Sequence, residues 1–258
     1  MKYNVDYLNN KRLVEQHVPR DALVMVGVSG GKDSLVLLDL YANFRPNMVY
    51  INVRTPADGD NEENIKYLNY LEKKYDIYIH SVSEEDNMEE YIIQRELNCP
   101  EDPYKIWDTV LKCGAYIYRA GRRVIGHDDF YCLFGNTTDN TPVWRGNPST
   151  LYRGKEKKVI NPLHNISDAE NMQYTEDNLL KLHPIYSRGF TKNTKIPCFL
   201  WFEDEETLDR NVELTKHHYP ESFRFWVEWE NTNGFPFFRK DGETVKWLRD
   251  YDTEDSNN

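Results

Sequence analysis

Short apolar runs alternate along the chain with longer stretches whose apolar residues recur every three or four positions, which is the pattern of strands interleaved with helices. Leu23-Val24-Met25-Val26-Gly27-Val28 has the composition of a strand buried on both faces, and Met48-Val49-Tyr50-Ile51-Asn52-Val53 repeats it. Ile77-Tyr78-Ile79-His80-Ser81-Val82 and Tyr131-Cys132-Leu133-Phe134-Gly135 read as further strands. Helices are expected over Val5–His17, Ser34–Tyr41, Glu62–Tyr75, Glu85–Leu97 and Tyr104–Ala120; in the third of these, Ile65, Leu68 and Leu71 share one face. Asn98-Cys99-Pro100-Glu101-Asp102-Pro103 is a breaker-rich loop, and Val159-Ile160 leads into Asn161-Pro162-Leu163-His164-Asn165. Ser167-Asp168-Ala169-Glu170 has the spacing of a capping box that opens one more helix. The alternation predicts an α/β fold, a doubly wound and mostly parallel sheet with right-handed crossovers.

From about Pro197 the pattern changes. The stretch to Asp252 holds most of the tryptophans and the acidic run Glu203-Asp204-Glu205-Glu206. It reads as a small C-terminal appendage for packing or dimerisation, which gives a domain over 1–196, an appendage over 197–258 and a solvated tail over Thr253–Asn258. Phe223, Phe225, Trp226, Trp229, Phe235, Phe237 and Phe238 are expected to form a core rather than a binding cage. A length of 258 residues fits one α/β domain with an appendage better than two equal domains.

Charge narrows the partners. A net charge of −11 argues against broad adhesion to nucleic acid or to an anionic membrane. No apolar stretch approaches membrane-spanning length and Met1-Lys2-Tyr3-Asn4-Val5-Asp6 lacks an apolar signal core, so a cytoplasmic location is expected. The four cysteines, Cys99, Cys113, Cys132 and Cys198, form no C-x-x-C pair and are expected to be reduced and individually buried. A four-cysteine iron–sulfur site is the alternative reading.

The candidate chemistry sits where the first strand meets the first of the apolar helices, at Ser29-Gly30-Gly31-Lys32-Asp33-Ser34. Two glycines allow a tight turn and a close backbone approach, the serines carry hydroxyl donors, and Lys32 supplies a positive charge. With the positive end of a helix dipole behind it, such a loop suits a phosphate or pyrophosphate group. It is not a Walker loop, because the two glycines are adjacent and Lys32 follows them directly. S-G-G-K-D-S after a strand resembles the PP-loop of the N-type ATP pyrophosphatases, which cleave ATP between its α and β phosphates.

A second stretch, Gly135-Asn136-Thr137-Thr138-Asp139-Asn140-Thr141-Pro142-Val143-Trp144-Arg145, resembles the G-x-R-x-x-E-S-P-x-x-R segment of the phosphoadenylylsulfate (PAPS) reductase family. Asn161 to Glu170 resembles that family's P-[IL]-x-x-W-[ST]-x-x-[DE] stretch, with Ile166 where tryptophan is usual. The resemblance implies an adenine nucleotide alpha hydrolase-like fold, ATP and Mg²⁺ as cofactors, and transfer of AMP to an unidentified acceptor with release of pyrophosphate. Two departures bear on the reductase reaction. Thr137 stands where the family holds the sulfonate or terminal phosphate with arginine, and no cysteine follows Cys198, although the reductases end in a signature with a nucleophilic cysteine.

On this resemblance Ser29, Gly30, Gly31, Lys32 and Ser34 bind phosphates, and Asp33 holds Mg²⁺ or orders the loop; Lys32 and Asp33 are the catalytic candidates. Asn52, Val53 and Arg54, at the end of the second strand, are nominated for base or ribose, since ligands in open α/β sheets lie beyond the carboxyl ends of the strands. Arg54 reads equally well as an exposed arginine with no ligand. Gly135 and Arg145 are nominated for phosphate or substrate, and Arg145 reads equally as a partner of a surface carboxylate. His164, two residues after Pro162, and His183, beside Pro184, read as structural hydrogen-bonding residues. Arg119, Arg122 and Arg123 read as a solvated helix end more readily than as an anion site. Two other functions stay open: a sulfonucleotide reductase using another thiol such as Cys198, and a nucleotide-binding protein without turnover, part of a phage or DNA-modification system.

Overall fold

A computed structural model describes residues 5–54, 62–83, 113–139, 151–154, 157–191, 205–233, 238–240 and 243–252. The chain divides into two compact units, Met1–Val53 with Glu62–Val82 and Gly114–Pro184, and Arg54–Asn61 with Ser83–Cys113 and Ile185–Asn258. The C-terminal division thus falls at Pro184, ahead of the boundary at residue 196 read from composition.

In the first unit the apolar runs become the middle of a sheet. Its strands are β1 (Val24–Gly27), β2 (Met48–Arg54), β3 (Ile79–Ser83), β4 (Tyr131–Leu133), β5 (Leu151–Gly154) and β6 (Lys157–Ile160), in the six-stranded order β3-β2-β1-β4-β6-β5. Val26 of β1 lies opposite Tyr50 of β2 on one side and Leu133 of β4 on the other, both parallel. β4 is parallel to β6, whereas β5 runs antiparallel to it. The sheet is therefore mostly parallel, as the alternation predicts. Strands β5 and β6 lack that signal because Arg153 in β5 and Lys157 and Lys158 in β6 interrupt an apolar run; β5 lies at the edge of the sheet, where polar residues are tolerated, and β6 lies beside it.

Helices α1 (Val5–His17) and α3 (Glu62–Tyr75) have the expected bounds. Between them in the chain, α2 (Lys32–Tyr41) carries Leu35, Val36, Leu37 and Leu38 with no exposed surface, the all-round burial of a central helix. α4 (Cys113–Ile125) continues five residues past the expected end at Ala120. Gly121 does not break it, because the missing side chain lets the helix lie against β1, where a Cβ would overlap Met25 Sδ. α5 (Asp168–Asp177) begins at the predicted capping box.

The order of strands fixes where a ligand can sit. The chain steps outward from β1 to β2 and β3, then returns to place β4 on the opposite side of β1. A sheet whose connections diverge in this way opens a crevice beyond the carboxyl ends of the two inner strands. The loop at Ser29 leaves β1 there, and the segment from Phe134 leaves β4 there.

The second unit holds α6 (Glu205–His218), α7 (Pro220–Asn233), the hairpin of β7 (Phe238–Lys240) and β8 (Glu243–Lys246), and α8 (Leu248–Asp252). Phe223 and Trp226 are buried within it, and Lys216 Nζ donates to the Tyr251 carbonyl at 2.6 Å. The expected helix Glu85–Leu97, the breaker loop Asn98–Pro103, the start of the helix expected from Tyr104, Phe235, Phe237 and the tail Thr253–Asn258 lie outside the described residues. Among the described residues, no helix is long and apolar enough to cross a membrane.

Candidate functional site

The loop after β1 is built to end one element and start another without closing the second. Val28 N–H bonds the Ile51 carbonyl at 2.8 Å, so the exit from the sheet is still paired. Gly30 then takes φ of 85°, a left-handed conformation that side chains other than glycine's disfavour. Gly30 N–H donates to Ser34 Oγ at 3.1 Å and Gly31 N–H to Ser29 Oγ at 3.2 Å. Ser29 Oγ donates to Ser34 Oγ, and Ser34 Oγ donates to the Gly31 carbonyl at 2.9 Å. Both serines thus brace the loop itself, and a phosphate contact from either would replace one of these bonds. Gly31 is the N-cap of α2, with no side-chain cap. The amides of Lys32, Asp33 and Ser34 precede the first intrahelical bond, from Leu35 N–H to the Gly31 carbonyl, and add the positive end of the helix dipole.

Lys32 and Asp33 belong to the first turn of α2. The Lys32 ammonium lies 3.1 Å from Asp33 Oδ1 and 3.2 Å from Asp168 Oδ2, with only 6% of its side chain exposed. Asp168 Oδ1 accepts from Thr137 Oγ1 at 2.7 Å, and the Asp168 N–H donates to Asp139 Oδ2 at 2.7 Å. On the other side, Asn171 Nδ2 donates to Asp33 Oδ1 at 2.8 Å, and Tyr7 Oη donates to Asn171 Oδ1 at 2.9 Å. Burial first, then the negative charges of Glu170 and Asp33, raise the Tyr7 phenol above its ordinary value and keep it a donor. One chain of contacts therefore runs from α1 through α5 to the loop.

Of the residues nominated from sequence, Ser29, Gly30, Gly31, Lys32, Asp33 and Ser34 form this loop, and Gly135 meets it. A Cβ on Gly135 would stand 2.9 Å from the Asp33 carbonyl oxygen and 3.0 Å from its carbon, so the absence of a side chain is what lets the β4 exit touch the start of α2. Asn52 is fully buried; its Nδ2 donates to the Val28 carbonyl at 2.7 Å and ties the end of β2 to the end of β1, while its Oδ1 has no partner among the described residues. Val53 is buried beside it. Arg54, half-buried, closes β2 and belongs to the second unit. Arg145 lies outside the described residues, as do Cys99 and Cys198.

Cys132 is buried in β4, and Cys113 opens α4. His164 Nδ1 lies 3.1 Å from the Asn161 carbonyl, and His183, 1% exposed, meets the Tyr67 ring edge-on. Arg122 pairs with Asp128 in the last turn of α4. Among the described residues no group of three His, Cys, Asp or Glu could hold a metal alone. The residues that sequence reasoning passed over are Tyr7, Asp139, Asp168 and Asn171. Two signals pointed toward them: the capping box, which makes Asp168 the first residue of α5, and Thr137, which departs from the family pattern and turns out to hold Asp168.

The fold is that of the PP-loop superfamily, the adenine nucleotide alpha hydrolase-like class. The model of the phosphoadenosine phosphosulfate reductase domain matches residues 23–199, more than half of the chain, and the protein belongs to that family. No curated protein matches it at a significant level. Among solved structures it resembles the phosphoadenylyl-sulfate (PAPS) reductase of Candida auris in a phosphate complex, at 15% identity and a TM-score of 0.50, over 74% of this chain and 88% of that one. It also resembles the NMN synthetase of Francisella tularensis, at 10% identity and a TM-score of 0.52, over 93% of this chain and 100% of that one. At these identities the likeness is one of fold.

Proposed function

We propose that this protein is an ATP-using enzyme that transfers AMP to an acceptor and releases pyrophosphate. The observation that supports it most is the start of α2: a glycine pair, no side-chain cap and a buried lysine at the divergence point of a parallel sheet. Such a start offers amides and a cation to an oxyanion. Membership in a PP-loop family favours a nucleotide as its bearer.

In the proposed step the acceptor's lone pair forms a bond to the α-phosphorus as the α–β bridging bond breaks, and the electron pair leaves on pyrophosphate. The protein's part is positioning and charge neutralisation at the leaving oxygens. Lys32 and the first amides of α2 supply it, while Gly30 and Gly31 let the backbone come close. The donor set also fits Mg²⁺. Asp33 and Asp168 offer partly exposed carboxylates, and with no three-ligand protein cage described, the ion would share its coordination with phosphate oxygens and water. Bound there, Mg²⁺ would screen the polyphosphate charge. Thr137, buried and turned to Asp168, offers no cation to a sulfonate, which favours ATP over a sulfonucleotide.

The test is turnover of ATP labelled at the α-phosphate, with Mg²⁺ and a panel of candidate acceptors. AMP transfer and pyrophosphate should appear together, and Lys32→Ala should lower the rate by roughly 100-fold, the usual cost of losing one donor at developing charge. Failure of the wild type to bind Mg-ATP in calorimetry, or turnover indifferent to Lys32→Ala, overturns the proposal. Thiol-dependent sulfite release from a sulfonucleotide would replace it with the reductase reaction.

A further inference from the structure

Among the described residues Lys32 meets more than one negative charge. Asp33 and Asp168 both contact its ammonium, and Asp139 lies behind Asp168 at the end of the α5 amide. The two acceptors are anchored differently. Asp33 is the next residue in the chain and takes a hydrogen bond from Asn171, so it moves with the loop. Asp168 comes from another helix, with one oxygen fixed by the buried Thr137 hydroxyl and the other aimed at Lys32. A polyphosphate entering here meets a cation already taken, and carboxylates that repel it. A phosphate that draws Lys32 away also leaves Asp168, whose side chain is only 20% exposed, without its counter-charge.

We propose that Asp168 is a specificity-determining residue: it competes with phosphate for Lys32, so that the site takes a nucleotide complexed with a divalent cation and refuses the bare polyanion. The inference rests on the reading of the loop as a phosphate site. A cation that arrives with the nucleotide offsets the carboxylate that Lys32 leaves, and a metal-free ligand brings no such compensation. Thr137 keeps the competition sharp by preventing Asp168 from swinging away. The threonine at the family's arginine position thus holds a carboxylate of the protein itself.

Calorimetry of wild type, Asp168→Asn and Asp139→Asn tests this, with inorganic pyrophosphate in the presence of chelator as one probe and Mg-ATP as the other. Asp168→Asn should bind metal-free pyrophosphate about tenfold more tightly than wild type, the order expected from removing a contacting charge in a partly screened site. Asp139→Asn, which removes a charge that does not touch Lys32, should gain less than about threefold. No gain in Asp168→Asn, or an equal gain in both variants, overturns the inference. If Asp168→Asn does not fold, Thr137→Val carries the test: it should gain affinity for metal-free pyrophosphate by a smaller factor, and no gain overturns the inference. Wild-type binding of Mg-ATP with no gain in the variants leaves the proposed function standing and removes this inference. A pyrophosphate gain without any Mg-ATP binding keeps the competition of Asp168 for Lys32 and overturns both the proposed function and the selection for a metal-complexed nucleotide.

Discussion

Helices α2 and α5 both start just beyond the carboxyl end of a strand in the parallel part of the sheet, and they finish their starts in opposite ways. α5 is closed by protein side chains, its own and Asp139. Glu170 N–H donates to Ser167 Oγ at 3.2 Å, while Ser167 N–H and Oγ donate to Glu170 Oε2 at 2.8 and 2.7 Å, the reciprocal box that satisfies both backbone donors. α2 has glycine at its N-cap, and its first acidic side chain, Asp33, turns to Lys32 and Asn171 instead of capping. The Asp168 N–H of α5 is taken as well, by Asp139 Oδ2, whereas no side chain caps α2, so the loop at Ser29 is the stronger candidate of the two even though both helices carry acids in the first turn.

The contrast is broken most severely at Gly135, where the β4 exit touches the open start of α2. Gly135→Ala places a methyl 2.9 Å from the Asp33 carbonyl oxygen, against backbone that cannot rotate aside. The expected cost is about 2 kcal/mol, a fall in melting temperature of roughly 4–8 °C, with weaker nucleotide binding because the loop itself must shift. An alanine variant that melts and binds like wild type would show that the two segments do not approach this closely.

A milder change sharpens the contrast from the closed side. Ser167→Ala removes the N-cap of α5 and should cost about 1 kcal/mol, or some 2–4 °C. Nucleotide affinity should stay at the wild-type value, since the box faces its own helix. A large loss of affinity with little loss of stability would mean that α5, too, presents its start to the ligand.

How far the sequence carries depends on whether the cause is local. β1, β2, α2 and the glycine turn were legible because apolar runs and turn chemistry act between neighbours. The capping box was legible for the same reason. The edge strand β5 and its neighbour β6 were not, since Arg153, Lys157 and Lys158 interrupt the apolar rhythm there. In the site, Lys32 and Asp33 could be read from the loop, but their partners could not: Asn171 comes from 138 positions away, and Tyr7 reaches the site through it. Only the strand order brings those segments together. Asn52 was placed at the right strand end, yet its burial and its bond to Val28 make it a brace between strands.

The smallest expected effect separates the two helix starts by acid. Ser167 N–H first, and then its hydroxyl, hold the Glu170 carboxyl below its ordinary value of 4.5, with burial opposing them weakly. A folded value below the unfolded one means that folding favours the charged form. Its contribution is complete above about pH 4.5 and is lost as the pH falls through the depressed folded value. Glu170→Gln retains an oxygen that can accept from Ser167 but carries no charge to titrate. Wild type should therefore melt slightly higher than Glu170→Gln by a constant margin near neutrality, and the margin should narrow below about pH 4.5. A margin that holds unchanged into acid would mean that the charge of Glu170 does not support the box. Ser167→Ala at the same acid values is the control. Without the cap the carboxylate loses its hydroxyl partner, so adding Glu170→Gln to it should produce a smaller margin at every pH, because the two changes act on one reciprocal pair.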